Sequence, residues 1–210
     1  MLTRPPALLS LSRPVRTPVL RRVPAPVPLP VQPAMKRWLA APGSLTARLR
    51  LHGTVTVKVM SQGHRPLWPQ EQRTLGALTG HVREVVLLID GRPAVWARSS
   101  APLRAVKGPW RAIKGLGTRP LAELLFAHRH VVRGPLRARR VPKGGPPVRH
   151  MRRQWQAAHA ELGLRTSALA EPQWARHSLF HHRGQPLQVL EAFAPWVAQL
   201  SCVASPRHGD

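Results

Sequence analysis

Tyrosine is absent from this chain of 210 residues, cysteine occurs once, and acidic residues number only 8. The single cysteine, Cys202, excludes an internal disulfide and any zinc site that takes two or more cysteines from one chain. Such cysteine usage fits a reducing compartment, the cytoplasm. No apolar run approaches the ~18 residues that a membrane-spanning helix requires, so no such helix is expected. The 7 Trp and 3 Phe are scattered, and neither a recognition helix nor aromatics interleaved with basic residues marks a nucleic-acid reader. Walker-type glycine loops and zincin motifs are also missing.

Positive charge is what the chain has in excess. Lys and Arg number 33, giving a formal charge of +25. A charge of this size draws in any polyanion, whether nucleic acid, an acidic membrane surface or an anionic metabolite, and does not specify a fold. The plainest reading of this excess is a solvated basic surface.

Residues 1–33 hold nine Pro and five Arg and no acid, a composition that sustains neither helix nor sheet and reads as a disordered arm. A single domain over 34–200 follows, then a flexible tail over 201–210. Met35, Trp38 and Leu39 lie at helical spacing before Pro42-Gly43. Thr54 to Val59 reads as a strand, Gly63 to Pro69 as a loop and Glu71 to Leu78 as a helix. Val82 to Ile89, the turn Asp90-Gly91 and Pro93 to Ser99 predict a β-hairpin, and Trp174 to His182, Arg183-Gly184 and Leu187 to Ala194 predict a second. Between them lie a loop over Gly115 to Pro120, an apolar helix over Leu121 to His128, a break at 142–149, and a polar surface helix over Met151 to Leu164. Hairpins flanked by helices, with no βαβ rhythm, imply an α+β domain on an antiparallel sheet.

Side chains alternate along a strand, so Arg83 shares a face with Val85, Leu87 and Ile89, and Glu191 shares one with Leu187, Val189 and Phe193. A charge on an apolar face needs a partner, because stranding one costs several kcal/mol. Two readings stay open: the residues snorkel or pair with each other, or they are polar groups inside an apolar cavity that binds an anionic ligand. Gly117-Thr-Arg-Pro-Leu121 adds free backbone N–H groups at a helix start, which suits a carboxylate or serves simply as a cap. His177, His181 and His182 read as surface histidines, since neighbours on a strand face opposite ways and no carboxylates accompany them. Ser99, Ser100 and Cys202 lack the partners that would make a nucleophile.

The order of features resembles the chorismate pyruvate-lyase family. The matching stretches are Trp38-Leu39 with Gly43 to Leu49, Val82 to Gly91, Ala97-Arg-Ser-Ser-Ala-Pro102, Leu116 to Phe126, and Trp174 to Pro195 ending in Leu190-Glu-Ala-Phe-Ala-Pro195. The resemblance spans about residues 35–196. It implies an antiparallel sheet of about six strands with helical flaps over a buried ligand, and an enzyme that works without metal or organic cofactor, releasing pyruvate from chorismate to leave 4-hydroxybenzoate for ubiquinone synthesis. It further implies that Arg83 holds the ring carboxylate and Glu191 meets the ring hydroxyl. Leu121 would supply main-chain binding to the carboxylate, and Leu45 a backbone contact where relatives carry Met.

Three departures stand out. Ala97 replaces a Gly common before the Arg, an insertion is expected near 142–170, and the arm before residue 20 has no counterpart. A desolvated Glu191 is expected to donate to the hydroxyl, and Arg98 is the next candidate for the second carboxylate. The implied partner is chorismate, met by a monomer; the charge permits peripheral contact with an acidic membrane surface, and no specific nucleic acid is expected. A non-enzymatic ligand-binding domain of the same fold and a basic nucleic-acid-binding protein are the alternatives.

Overall fold

The two hairpins anticipated from the sequence form the middle of a seven-stranded antiparallel sheet in a computed structural model that describes residues 31–127, 129–164 and 170–202. Strands β1 (Val55–Pro66), β2 (Thr79–Ile89), β3 (Arg92–Pro102), β4 (Val131–Arg133), β5 (Arg137–Arg140), β6 (Trp174–His182) and β7 (Gln185–Phe193) take the order β1-β2-β3-β7-β6-β4, with β5 also paired to β6. The sheet is therefore six strands wide, in keeping with the α+β expectation. Both hairpin turns have positive φ at both central residues: Asp90 and Gly91 at 48° and 78°, Arg183 and Gly184 at 49° and 75°. That geometry matches the twist of the strands they join. Asp90 also accepts from the Thr54 backbone N–H at 2.8 Å, fastening the entry to β1.

Helices cover both faces. On one lie α1 (Pro33–Ala40), α2 (Leu45–Leu49), α4 (Leu103–Lys107) and α5 (Leu121–Ala127); on the other lie α3 (Pro69–Leu75) and α6 (Pro146–Glu161). Met35, Trp38, Leu39, Leu45 and Leu49 join the inner residues of β2, β3 and β7 in the main core, while Trp110, Ile113, Leu124 and Leu125 pack on Phe180, Leu187 and Val189. Among the described residues no helix is long and apolar enough to cross a membrane.

Several expectations need correction. Strand β1 runs on through the predicted loop at 63–66, because its backbone pairs with β2 as far as Pro66↔Thr79, past an irregularity between Val59 and Ser61. Helix α3 ends at Leu75, where Gly76 takes the left-handed conformation at φ 62°. The helix expected to be a polar surface element starts earlier, at Pro146, and buries Val148, Met151, Trp155, Ala158 and His159. Their spacing makes a stripe that faces the sheet. At the start of the described residues α1 begins at Pro33, and Val31 packs in the core. At the other end the Ser201 carbonyl lies 2.8 Å from His52 Nε2 and Cys202 packs against the core. The rest of the arm and tail, and residues 165–169 of the expected insertion, lie outside the described residues.

Candidate active site

Strand register decides which side chains meet. Arg83 on β2 is level with Ser99, Val189 and Ser178, and the next row on the same face is Val85, Ala97, Glu191 and Arg176. Arg83 and Glu191 thus come from separate hairpins to one face, two strands apart, or roughly 10 Å across the sheet at ~4.8 Å per step. Both line a cavity under the α1–α2 and α5 flaps. Its atom-free space is about 600 Å³, part of it open to solvent. Val57, Val85, Leu125, Phe126 and Phe180 supply apolar wall, and Leu45 and Leu121 border it from the flaps. All four residues singled out as ligand contacts, Arg83, Glu191, Leu45 and Leu121, surround the same space.

Arg83 and Glu191 do not pair with each other. One Arg83 Nη donates to the carbonyls of Gly117 and Arg119, at 2.9 and 3.1 Å, tying β2 to the loop that leads into α5. Its Nε is buried with no hydrogen-bond partner among the described residues. Burial holds the guanidinium below its ordinary pKa, but it stays charged across the working pH range. An unmet donor on a buried cation is costly unless a ligand completes it.

Glu191 is not the isolated acid expected. Arg176, 1% exposed in its side chain, donates from Nε to Glu191 at 2.6 Å and from one Nη to the carbonyls of Trp38 and Ala41, each at 2.9 Å. This pairing satisfies a carboxylate that accepts, not a carboxyl that donates. Arg176 also joins the acid to the C-terminal end of α1. Its place on the face of Ser178 and Phe180 was available from the alternation of β6.

Arg98 cannot serve as the second carboxylate's partner. It borders the cavity, but alternation turns its guanidinium to the opposite face, where Glu71 and Glu84 bind it at 2.7 and 2.6 Å under α3 and α6. The Trp68 ring lies 3.9 Å from the Arg98 guanidinium carbon. Desolvation pushes Glu84 up, but hydrogen bonds from Ser61, His150 and Arg98 outweigh it and leave the group below its usual range. Ser100 joins this network by donating to Glu71 at 2.9 Å, while Ser99, on the cavity side, donates to the Arg83 carbonyl. The network braces the sheet directly behind Arg83 and Ala97.

The cation that does reach the cavity is Arg133, on β4, which no periodic signal in the sequence marked. Its Nε donates to Ser178 Oγ at 3.1 Å and one Nη to the Gly43 carbonyl at 3.0 Å. Ala97 lines the space between Val85 and Glu191, so its methyl group takes up room at the cavity floor. Among the described residues no group of three or more His, Cys, Asp or Glu is arranged to hold a metal ion.

A protein of Albidiferax ferrireducens described as a probable chorismate pyruvate-lyase is 42% identical over 170 residues, covering 77% of this chain and 83% of its own. One of Aromatoleum aromaticum with the same description is 40% identical over 86% of this chain and 94% of its own. Among solved structures, PhnF from Mycobacterium smegmatis aligns over 80% of this chain and 70% of its own with 12% identity and a TM-score of 0.46, a likeness too loose to bear on function. The family model for chorismate lyase matches residues 26–200; with that match and with relatives of this identity and extent, the chain belongs to the chorismate lyase family and is a carbon–oxygen lyase.

Proposed function

We propose that this enzyme eliminates pyruvate from chorismate and leaves 4-hydroxybenzoate, supplying the aromatic precursor of ubiquinone. The observation that carries this reading is a buried Arg83 with an unmet donor lining one cavity with Glu191. A planar guanidinium suits the ring carboxylate, and charge-assisted bonds of this kind contribute about 1.5–3 kcal/mol each. The main-chain N–H groups at Leu121 and Leu45 assist in holding the ring. Glu191, kept as an acceptor by Arg176, takes the hydroxyl proton in a hydrogen bond and sets the ring's orientation.

In the reaction the ring–oxygen bond of the enolpyruvyl ether breaks. The neighbouring carbon, which bears the hydroxyl, loses its proton, and those electrons complete the aromatic ring. The departing enolpyruvate gains a proton and becomes pyruvate. Aromatisation drives the step, so the protein's part is to fix a reactive conformer and stabilise charge on the leaving oxygen. We place the enzyme in the cytoplasm as a monomer, its basic surface concentrating a dianionic substrate near the cavity mouth.

Incubating the purified chain with chorismate tests the proposal. Pyruvate and 4-hydroxybenzoate are expected in equal amounts; consumption of chorismate to any other product, or none at all, contradicts it.

A further inference from the structure

Three charged groups are ordered across the cavity by the sheet: Arg83 on β2, Glu191 on β7 and Arg133 on β4. β7 lies two strands from β2, and β4 two strands beyond β7, so each interval is roughly 10 Å. The Cα of Arg133 is level with Phe180, one row past Arg83, but its side chain leans back to reach Ser178, in the row of Arg83 itself. Its guanidinium carbon is 5.2 Å from the Phe180 ring, and the residue is 8% exposed. A buried guanidinium aligned by a hydroxyl, a carbonyl and an aromatic face is preorganised to receive an anion.

The charges along the wall point the same way. Among the described lining residues Glu191 is the sole acid and is answered by Arg176, while Arg98 is answered by Glu71 and Glu84 behind the sheet. Arg83 and Arg133 thus bring guanidiniums to two separate places on the wall. Chorismate carries two carboxylates, one on the ring opposite the hydroxyl and one on the enolpyruvyl ether beside it. A ring carboxylate on Arg83 and a hydroxyl on Glu191 put the ether at the far end, on the side of β6 and β4.

We infer that Arg133 binds the enolpyruvyl carboxylate, the one that leaves with pyruvate. This rests on chorismate being the substrate. The site therefore holds a dianion by its two ends and, once the ether is broken, retains only the ring carboxylate. A cation beside the departing group also opposes the negative charge that grows on its oxygen.

Arg133→Met and Arg83→Met, compared with the unmodified enzyme, test the assignment. Arg133→Met is expected to lower kcat/KM for chorismate by about 10- to 100-fold, the loss of one or two charge-assisted bonds, while 4-hydroxybenzoate, titrated by calorimetry, binds within about twofold of normal. Arg83→Met is expected to weaken both. A parallel loss of substrate and product affinity in Arg133→Met, or no loss of either, overturns the assignment. Should Arg133→Met fail to fold, Arg133→Lys keeps the charge without the planar fork. The probe is then 3-(carboxymethoxy)-4-hydroxybenzoate, which restores a second carboxylate to the product's ring. Its affinity should fall in Arg133→Lys while that of 4-hydroxybenzoate does not, and an equal change in both counts against the proposal. That pair of inhibitors reads the second anion site without turnover, so an unmodified enzyme that binds both but leaves chorismate intact would contradict the proposed reaction and not this site.

Discussion

Arg83 and Arg176 are both arginines on the cavity face, yet they should fail in different ways when removed. Arg83 is held by two loop carbonyls and keeps a donor unmet. Arg83→Ala should reduce pyruvate release from chorismate by about 100-fold or more, since more than one bond of about 1.5–3 kcal/mol disappears with it, while the melting temperature shifts by only a few degrees. A variant with the full rate would show that the ring carboxylate lies elsewhere. Arg176 is 1% exposed and satisfies one carboxylate and two carbonyls. Breaking a buried pair by deleting one partner costs about 3–5 kcal/mol, so Arg176→Ala should lower the urea midpoint markedly; an unchanged midpoint would mean that the pair holds nothing together.

At the scale of elements, α6 offers the sharpest contrast between sequence and structure. Pro-Pro-Val-Arg-His-Met-Arg-Arg-Gln-Trp-Gln-Ala-Ala-His-Ala-Glu reads as polar because Arg, His and Gln crowd the spaces between Val148, Met151, Trp155 and Ala158. Those four fall on one side and meet the sheet, with Gln154 accepting from Trp96 Nε1 at 2.8 Å. Trp155→Ala should therefore cost about 3–5 kcal/mol in denaturant unfolding; a loss below about 0.5 kcal/mol would restore the surface-helix expectation. The hairpins were legible because Asp-Gly and Arg-Gly turns carry their own geometry and each joins two runs rich in apolar residues. The site was legible to the extent that it sits on them, since alternation alone brought Arg83 and Glu191 to an apolar face. Arg133 was not, because β4 is three residues long and owes its existence to pairing with β6. Nor was the fate of Arg98, whose partners come from α3 and β2, far apart in sequence.

For the whole molecule, pH bears on stability through His81, which is buried, and His177, which is half-buried. Burial, then Lys114 and Arg83, lower the pKa of His81; burial, then Arg139 and Arg137, lower that of His177. In the unfolded chain both titrate near pH 6.5. Below that value the unfolded state binds more protons than the native one, so stability falls as pH drops through about 6.5 toward the lower native values, and is unaffected by these groups above it. Unfolding free energy at pH 5.5 should be smaller than at pH 7.5 at high salt, where repulsion within a chain of charge +25 is screened. Replacing both histidines by Gln should flatten the slope, and an unaltered slope would assign it to other groups.

Turnover by this site requires one cavity in which groups from two hairpins grip opposite ends of one aromatic acid. A crystal structure with 4-hydroxybenzoate bound measures this most directly. The ring is expected beneath the flaps, its carboxylate on Arg83 and its hydroxyl on Glu191; a ligand bound in reverse, or outside the space between those two residues, would overturn the proposed site.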